Sequence, residues 1–199
     1  MSAALLAAGS ARRMGAEKLL LSLCGEPIVR RVAREIVAVG FSQILVVANA
    51  ANESVVSAAL SDMPVELVVN REAAAGMGGS IAAAVAAVAP TSQALVLAQG
   101  DQPFVDRAML RTLLAEWRRA SPAFVASSYG GLLTTPVVFA ARLLGELRAL
   151  EGDRGARGVL RRHEADGRVI AFPAWQGTDV DTPDDYERAR EIAESLRRR

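Results

Sequence analysis

The chain has 199 residues and a formal net charge of +1, because 23 Lys and Arg nearly balance 22 Asp and Glu. This length predicts a single domain over residues 1–199, large enough to form an apolar core without cross-links. The near-neutral charge argues against a dedicated nucleic-acid-binding protein, which needs a concentrated basic surface.

Cysteine, histidine and lysine are each represented by one residue, namely Cys24, His163 and Lys18. A lone cysteine excludes an internal disulfide and a Cys-rich zinc site, and a lone histidine excludes a His-cluster metal site. A catalytic metal must then use oxygen ligands, which favours Mg²⁺. The other 22 cations are Arg and 38 residues are Ala, a bias typical of genome base composition, against which Lys18 stands out.

The apolar runs are too short for a membrane span, which needs about 18 residues. The apolar start of the chain resembles a short signal peptide, but its charges, Arg12 and Arg13, follow the apolar run instead of preceding it. We interpret the start as a buried first strand and expect a cytoplasmic protein with no membrane partner.

Strand-like apolar runs alternate with helix-period segments through the first 120 residues. Because the strands are apolar throughout, this alternation predicts a mostly parallel central sheet with helices on both faces, an α/β fold. The predicted strands are residues 3–8, 44–48, 65–69 and 94–98, and the predicted helices are residues 26–39, 52–60, 80–88 and 106–120, the last capped by Asp106.

The alternation changes after residue 121. Strand-like segments 123–128 and 135–139, separated by Gly130 and Gly131, predict a small β-hairpin insertion. Helices are predicted at 140–150, 155–162 and 183–196, the last with Thr182 as N-cap, and a late strand at 168–172. The sequence shows no internal repeat or domain break.

Four loops with unusual residues lie where the strands of such a sheet end, which is where open α/β sheets bind ligands. The first, residues 6–18, carries Gly9, Arg13 and Lys18. Glycine lets backbone amides approach a phosphate, and the cations neutralise it. The spacing matches neither a P-loop nor a dinucleotide fingerprint, and a basic surface loop is the alternative.

The second and third loops add a hydroxyl and a carboxylate. Gly76-Met-Gly-Gly-Ser80 opens a helix, and its amides and the Ser80 hydroxyl suit a base, ribose or phosphate, unless it is a flexible loop ending in an N-cap. Asp101 follows an apolar strand directly. A carboxylate facing a phosphate-binding loop is a natural Mg²⁺ ligand, although Asp is also common in turns.

The fourth loop places Asp179 and Asp181 on one face of an extended segment. Asp184 and Asp185 instead suit the positive N-terminus of the helix that follows. One of the first pair is therefore expected to complete the metal site. Together the four loops predict a nucleoside triphosphate site with Mg²⁺ on two carboxylates.

The motifs LAAG, SARRMG, AEK, GMGGS, GDQP, GDRGAR and DVDTPDDY occur in this order between Leu6 and Tyr186. As a set they resemble the MobA-like nucleotidyltransferases, most closely the molybdenum cofactor cytidylyltransferase branch. The resemblance implies a Rossmann-like nucleotidyltransferase fold. It also implies transfer of CMP from CTP to molybdopterin-bound molybdenum, with Mg²⁺ as cofactor and release of pyrophosphate.

The resemblance also implies roles for individual residues. It assigns catalysis to Arg13, Lys18 and Asp101, metal binding to Asp101 and Asp181 with Asp179 as the alternative, and acceptor binding to Asp153 and Arg157. It assigns nucleotide binding to Leu6, Ala7, Ala8, Gly9, Arg13, Lys18, Gly78 and Ser80. The guanylyl-transferring branch has paired glycines in place of Ala7 and Ala8, which favours CTP over GTP.

Two departures from the family pattern leave alternatives open. Ala11 replaces a usual Ser, and Thr134-Thr135-Pro136 replaces the family's Gly-His-Pro, which puts the acceptor in doubt. One alternative is transfer from GTP or another NTP to a different phosphorylated acceptor, such as a sugar phosphate. Another is a non-catalytic nucleotide- or cofactor-binding chaperone that serves a molybdoenzyme partner. An RNA-binding protein would need a basic stripe that the neutral composition does not supply.

Overall fold

A computed structural model describes residues 1–9, 18–71 and 76–198. Its strands are β1 (Ser2–Leu6), β2 (Ser22–Leu23), β3 (Glu26–Pro27), β4 (Gln43–Asn49), β5 (Glu66–Asn70), β6 (Ala94–Gln99), β7 (Phe124–Tyr129), β8 (Leu132–Ala140) and β9 (Gly167–Phe172). Its α-helices are α1 (Ile28–Val37), α2 (Glu53–Ala59), α3 (Met77–Ala87), α4 (Arg107–Ala120), α5 (Leu144–Arg148), α6 (Arg157–Arg162) and α7 (Pro183–Arg197).

Seven strands form the central sheet in the order β5-β4-β1-β6-β8-β7-β9. The pairs β5–β4, β4–β1, β1–β6 and β7–β9 are parallel, whereas β8 runs antiparallel to both of its neighbours. The chain moves from β1 to one side of the sheet and returns on the other side at β6. The carboxyl ends of β1 and β6 therefore flank a topological switch point, where such sheets leave a crevice.

Alternate side chains of the strands form two apolar layers. Ala3 and Leu5 of β1 pack toward α1, α2 and α4, and Ala4 packs with Leu45 and Val47 toward α3, α5 and α6. Helices thus cover both faces of a mostly parallel sheet, and the predicted α/β fold is confirmed. The first apolar run is a central strand of the sheet. Among the described residues, no helix is long and apolar enough to cross a membrane.

The predicted hairpin is present, since β7 and β8 pair antiparallel around Gly130 and Gly131, but it is part of the central sheet and not a small insertion. Strand β8 pairs with β6 from Ala94↔Ala140 to Leu97↔Val137, and β7 joins β8 to β9. Every residue of β7 is buried. Gly130-Gly131 indicates the turn of the hairpin, but a local turn pattern does not show which strand of the sheet the hairpin pairs with.

Two helix starts differ from the prediction. Glu26 and Pro27 pair with Ser22 and Leu23 in a small antiparallel sheet, so α1 begins two residues later than expected. In the other case, α3 begins at Met77, and the predicted Gly-rich turn is its first turn. Glycine disfavours helix by about 1 kcal/mol per residue, so tertiary packing decides this helix start.

Side-chain caps fix the starts of α4 and α7, as predicted. The carboxylate of Asp106 accepts a hydrogen bond from the backbone N–H of Met109 at 2.8 Å. Thr182 and Asp185 form a reciprocal capping box at the start of α7. Such caps stabilise a helix by about 1 kcal/mol each, and they fix the chain just after Asp181.

A partly buried carboxylate, Glu35, joins α1 to the start of α4. It accepts hydrogen bonds from Arg107 Nε at 2.9 Å and from Arg34 Nη1 at 2.8 Å, and its side chain is 13% exposed. Burial works to raise the pKa of Glu35, but the hydrogen bonds and charge of Arg107, with the charge of Arg34, outweigh it and hold the pKa below its usual value.

Glu35→Gln should therefore destabilise the fold, by about 1–2 kcal/mol at neutral pH. Because the pKa of Glu35 is lower in the folded than in the unfolded state, the ionised carboxylate stabilises the fold at pH values above its unfolded-state pKa. That stabilisation is lost as the pH falls through its folded-state pKa. The difference between wild type and variant should shrink below about pH 4. The free energy of unfolding in urea at pH 7 and pH 3.5 measures this difference, and Glu187→Gln, which removes an exposed ion pair with Arg190, is the control. Equal destabilisation at both pH values would contradict the ionic role of Glu35.

Candidate active site

The crevice at the switch point forms a first cleft of about 230 Å³. Its wall comes from the carboxyl ends of β1 and β6, which are held in register by the pair Leu6↔Gln99 and by a hydrogen bond from Gly100 N to Leu6 O at 2.9 Å. The lining residues include Leu6, Ala7, Ala8, Gly9, Lys18, Ser80, Asp101 and Asp153. The structure thus brings most of the predicted nucleotide-binding positions together.

Two asparagines that the sequence analysis missed hold the backbone of this wall. The Asn52 side chain donates to Ala7 O at 2.7 Å, and the Asn49 side chain donates to Ala8 O at 2.9 Å. Both carbonyls are therefore fixed from outside the cleft. Their position in the sequence could have identified them, because Asn49 ends β4 and Asn52 follows three residues later. Polar residues at a strand's carboxyl end are candidates for such a role.

Lys18 connects two of the predicted loops at the edge of the cleft. Its Nζ lies 2.8 Å from Asp101 Oδ2 and 2.8 Å from Asp181 Oδ1. These three residues, called the charged centre below, come from distant parts of the chain, yet each had been assigned to the site from sequence. The Lys18 side chain is 8% exposed, so solvent screens the two ion pairs only in part.

Within the charged centre, Lys18 and Asp101 differ in how completely their polar atoms are paired. Burial works to lower the pKa of Lys18, but the charges and hydrogen bonds of Asp101 and Asp181 outweigh it and hold the pKa above its usual value. The ammonium therefore stays protonated. Asp101 uses Oδ2 for Lys18, while its Oδ1 is buried and has no hydrogen-bond partner in the described structure. A buried carboxylate oxygen without a partner is costly and calls for a ligand.

The structure separates the two candidate acids of the last loop. Asp181 faces Lys18, whereas Asp179 accepts a hydrogen bond from Gln102 Nε2 at 2.7 Å. Burial raises the pKa of Asp179 to about 6; the charges of Asp101 and Asp181 add to this, and the Gln102 bond opposes it. Asp179 thus acts in a hydrogen-bond network, and Asp181 is the acid placed beside Asp101.

Glycine is required where α3 meets the 151–153 loop. A Cβ on Gly76, whose φ is +91°, would lie 2.3 Å from Asp153 Oδ1, and one on Gly78 would lie 2.9 Å from the Glu151 backbone. The Gly78 N–H donates to Gly152 O at 2.8 Å. The backbone amide of Gly78, which was predicted to contact nucleotide, is therefore already hydrogen-bonded within the protein. Ser80 does line the cleft, and its Oγ accepts from the Asn70 side chain at 3.3 Å.

A second cleft of about 280 Å³ adjoins the first and shares Leu6, Met77, Gln99 and Asp153 with it. Its other walls are β8 and α6. The β8 wall offers Leu133, Thr134, Thr135, Val137 and Phe139, and the start of α6 offers Arg157. The predicted acceptor residues Asp153 and Arg157 thus share this cleft with the Thr134-Thr135 segment that departs from the family pattern.

Arg13 lies outside the described residues, so its predicted catalytic role remains a prediction.

A divalent metal would find two protein ligands at the charged centre. Within the described ranges, no group of three or more His, Cys, Asp or Glu could hold a metal ion. Asp101 and Asp181 nevertheless fit Mg²⁺ or a similar hard cation, which commonly takes one or two carboxylates and completes its shell with water and phosphate oxygens. The unpartnered Oδ1 of Asp101 suits such a ligand role.

Comparisons with known proteins point to one family. A sequence profile described as the MobA-like NTP transferase domain matches residues 3–167. The purine catabolism protein PucB of Bacillus subtilis (strain 168) is 30% identical over 194 residues, covering 93% of each chain. A probable molybdenum cofactor guanylyltransferase of Chloroflexus aggregans is 32% identical over 201 residues, covering 94% of this chain and 92% of that protein.

Solved structures agree with the sequence matches. The crystal structure of Rv0371c from Mycobacterium tuberculosis H37Rv superposes with a TM-score of 0.83 at 30% identity, covering 96% of this chain and 97% of that one. Its complex with manganese superposes with a TM-score of 0.80 at 28% identity and the same coverage.

Proposed function

Because the chain belongs to the MobA-like NTP transferase family, we propose that this nucleotidyltransferase acts on the molybdenum cofactor. It would transfer a nucleotidyl group from a nucleoside triphosphate to the phosphate of the molybdopterin-type acceptor and release pyrophosphate. The observation that carries the proposal is the charged centre, where Lys18 joins Asp101 and Asp181 beside two adjoining clefts. One cleft suits the nucleotide and the other the acceptor.

The reaction needs positioning and charge neutralisation more than proton transfer. An acceptor phosphate oxygen attacks the α-phosphorus in line, the new P–O bond forms, and the bond to the departing pyrophosphate breaks. A phosphate monoester is already largely ionised near neutral pH. A general base is therefore unnecessary, which agrees with a chain whose one His, His163, bonds to Glu146 instead.

Residues of this chain would divide the work between the two clefts. The backbone from Leu6 to Gly9, with Ser80, holds the nucleotide, and Asp153 and Arg157 hold the acceptor. Mg²⁺, when bound by Asp101 and Asp181, supplies positive charge to the phosphate oxygens. Lys18, and Arg13 by prediction, place further positive charge there, as is typical of phosphoryl transfer sites. The flexible stem of Lys18 lets its ammonium follow the phosphates.

Two nucleotides are candidates, and each has its own support. Ala7 and Ala8, in place of paired glycines, favour CTP. The relatives named as probable molybdenum cofactor guanylyltransferases, at 32% and 28% identity, favour GTP. Both alanines are buried and their carbonyls are bound by Asn52 and Asn49. Their methyl groups fill apolar layers of the fold, so direct competition between the nucleotides must decide.

Pyrophosphate release tests the proposal directly. We expect release from one of CTP and GTP that depends on molybdenum-loaded molybdopterin and on a divalent metal. A nucleotide panel run with each acceptor identifies the donor, and replacing Mg²⁺ by Mn²⁺ identifies the metal. Release with a sugar phosphate, but without molybdopterin, would move the acceptor to the alternative class. Nucleotide binding without any release would favour a non-catalytic chaperone that serves a molybdoenzyme partner.

A further inference from the structure

One fully buried amide, Gln102, follows Asp101 of the first cleft and contacts Thr135 of the second, and both of its functional atoms are engaged. Its Oε1 accepts a hydrogen bond from Thr135 Oγ1 at 2.7 Å, and its Nε2 donates to Asp179 Oδ1 at 2.7 Å. The residue has no exposed surface. Burying an amide is costly unless its hydrogen bonds are made, so this side chain is held in one orientation by two partners.

The network joins three segments that the chain brings together from far apart. Gln102 follows Asp101 directly, Thr135 belongs to the β8 wall of the second cleft, and Asp179 precedes Asp181 by two residues. A backbone hydrogen bond runs beside it, from Val180 N to Asp101 O at 3.0 Å. The 179–181 segment is thus attached to the 101–102 turn at two successive residues.

This double attachment fixes where Asp181 lies. Asp181 is 59% exposed on its side chain, and its own hydrogen bonds run to Lys18 and to the cap of α7. The Gln102–Asp179 and Val180–Asp101 bonds hold the backbone on the N-terminal side of Asp181, so the chain is held on both sides of this residue. The same amide also orients Thr135, whose backbone carbonyl accepts from the Tyr129 hydroxyl at 3.2 Å.

We propose that Gln102 is a positioning residue that links the acceptor wall to the charged centre, through Thr135 on one side and Asp179 on the other. It sets the distance between Asp181 and Asp101 and, with it, the affinity for a divalent cation in the nucleotide complex. The expected effect of Gln102 on kcat rests on the proposed function. Its effect on the two carboxylates is independent of which acceptor is used.

Gln102→Leu tests the proposal, because it keeps the approximate volume and removes both hydrogen bonds. We expect about a tenfold or greater loss of Mn²⁺ affinity in the complex with a non-hydrolysable nucleotide, as for other residues that orient metal ligands. We expect kcat to fall by about 10- to 100-fold, since small displacements of reacting groups have effects of this size. Nucleotide affinity without metal should change by less than about twofold, because Gln102 does not line the first cleft.

Gln176→Leu is the matched control. Gln176 is also buried, and its Nε2 donates to an aspartate, Asp106 Oδ2, at 3.0 Å, but neither of these residues lines a cleft. It should lose comparable thermal stability without losing Mn²⁺ affinity or kcat. Equal effects of Gln102→Leu and Gln176→Leu on these two readouts would overturn the proposal.

Variants of Thr135 keep the test decisive if Gln102→Leu does not fold. Thr135→Val removes the hydroxyl and should lower Mn²⁺ affinity in the nucleotide complex about 3- to 10-fold, whereas Thr135→Ser retains it and should restore that affinity. Where Gln102→Leu does fold, adding Thr135→Val to it should cause no further loss, since both residues belong to one network. Additive losses, or no rescue by Ser, would contradict the link. If the wild type transfers to no acceptor, the proposed function fails, and the Mn²⁺ affinities still decide the role of Gln102.

Discussion

Asp101→Asn is expected to reduce nucleotidyl transfer at least about 10³-fold, equivalent to about 4 kcal/mol of transition-state stabilisation, while the fold remains intact. The reason is the position of the carboxylate. Its Oδ2 bonds to Lys18 at 2.8 Å, and its buried Oδ1 has no partner among the described residues. An amide keeps the shape but loses the charge, which both a cation ligand and the pairing with Lys18 require. Pyrophosphate release with saturating nucleotide and metal measures the effect.

The control for Asp101→Asn is Asp62→Asn, which removes a surface ion pair with Arg30; neither of these residues lines a cleft. Activity near that of the wild type is expected there, because exposed ion pairs contribute little. Thermal unfolding of both variants separates loss of chemistry from loss of structure. If Asp101→Asn retains turnover at saturating Mg²⁺ and nucleotide, Asp101 does not act as assigned.

Lys18→Arg is expected to lower transfer about 10²- to 10³-fold without unfolding the chain. Charge is preserved, so the loss comes from shape. The ammonium sits between two carboxylate oxygens at 2.8 Å each, on a side chain that is 8% exposed. A guanidinium is a planar fork, larger than an ammonium, and binds carboxylates in a bidentate way. It should displace Asp181 from Asp101 and stay fixed to one of them.

Lys18→Met tests the positive charge itself, whereas Lys18→Arg tests the shape of the group that carries it. It removes the cation and leaves two carboxylates facing each other, so we expect lower activity than in Lys18→Arg and a weaker dependence of nucleotide binding on salt. The chain contains 22 Arg, so an exchange to Arg has no general penalty for this protein. Full activity of Lys18→Arg would mean that any positive charge suffices at this position.

The sequence identified the parallel part of the fold and most of the residues at its carboxyl edge. Apolar strands and capped helices are local patterns, and the positions of Lys18 and Asp101 follow once the sheet is assumed parallel. The family and its nucleotidyltransferase chemistry, inferred from the order of motifs, are also confirmed. The choice of CTP stays a prediction, and the relatives named as guanylyltransferases point to GTP.

What could not be predicted depends on contacts between distant segments. Alternation placed Asp179 and Asp181 on one face, but only the packing of Val180 onto Asp101 and the buried Gln102 give them different partners. Likewise, the β7–β8 hairpin has a clear turn, while its insertion beside β6 is a long-range choice. Gly78 has its amide bonded to Gly152, which a local reading of a Gly-rich turn does not show.

The reversal of strand direction at β8 has a consequence for how this enzyme can diversify. The parallel half of the sheet carries Leu6 and Asp101, and the antiparallel strand supplies the opposite wall through Leu133, Thr134 and Thr135. On the proposed function, the acceptor is therefore recognised in part by a strand that does not line the donor cleft. Substitutions at Leu133 and Thr134 can then change the acceptor while the donor cleft stays unchanged, whereas Thr135 is linked to the charged centre through Gln102. Acceptor choice can therefore evolve separately from the chemistry at those two positions, but not at Thr135.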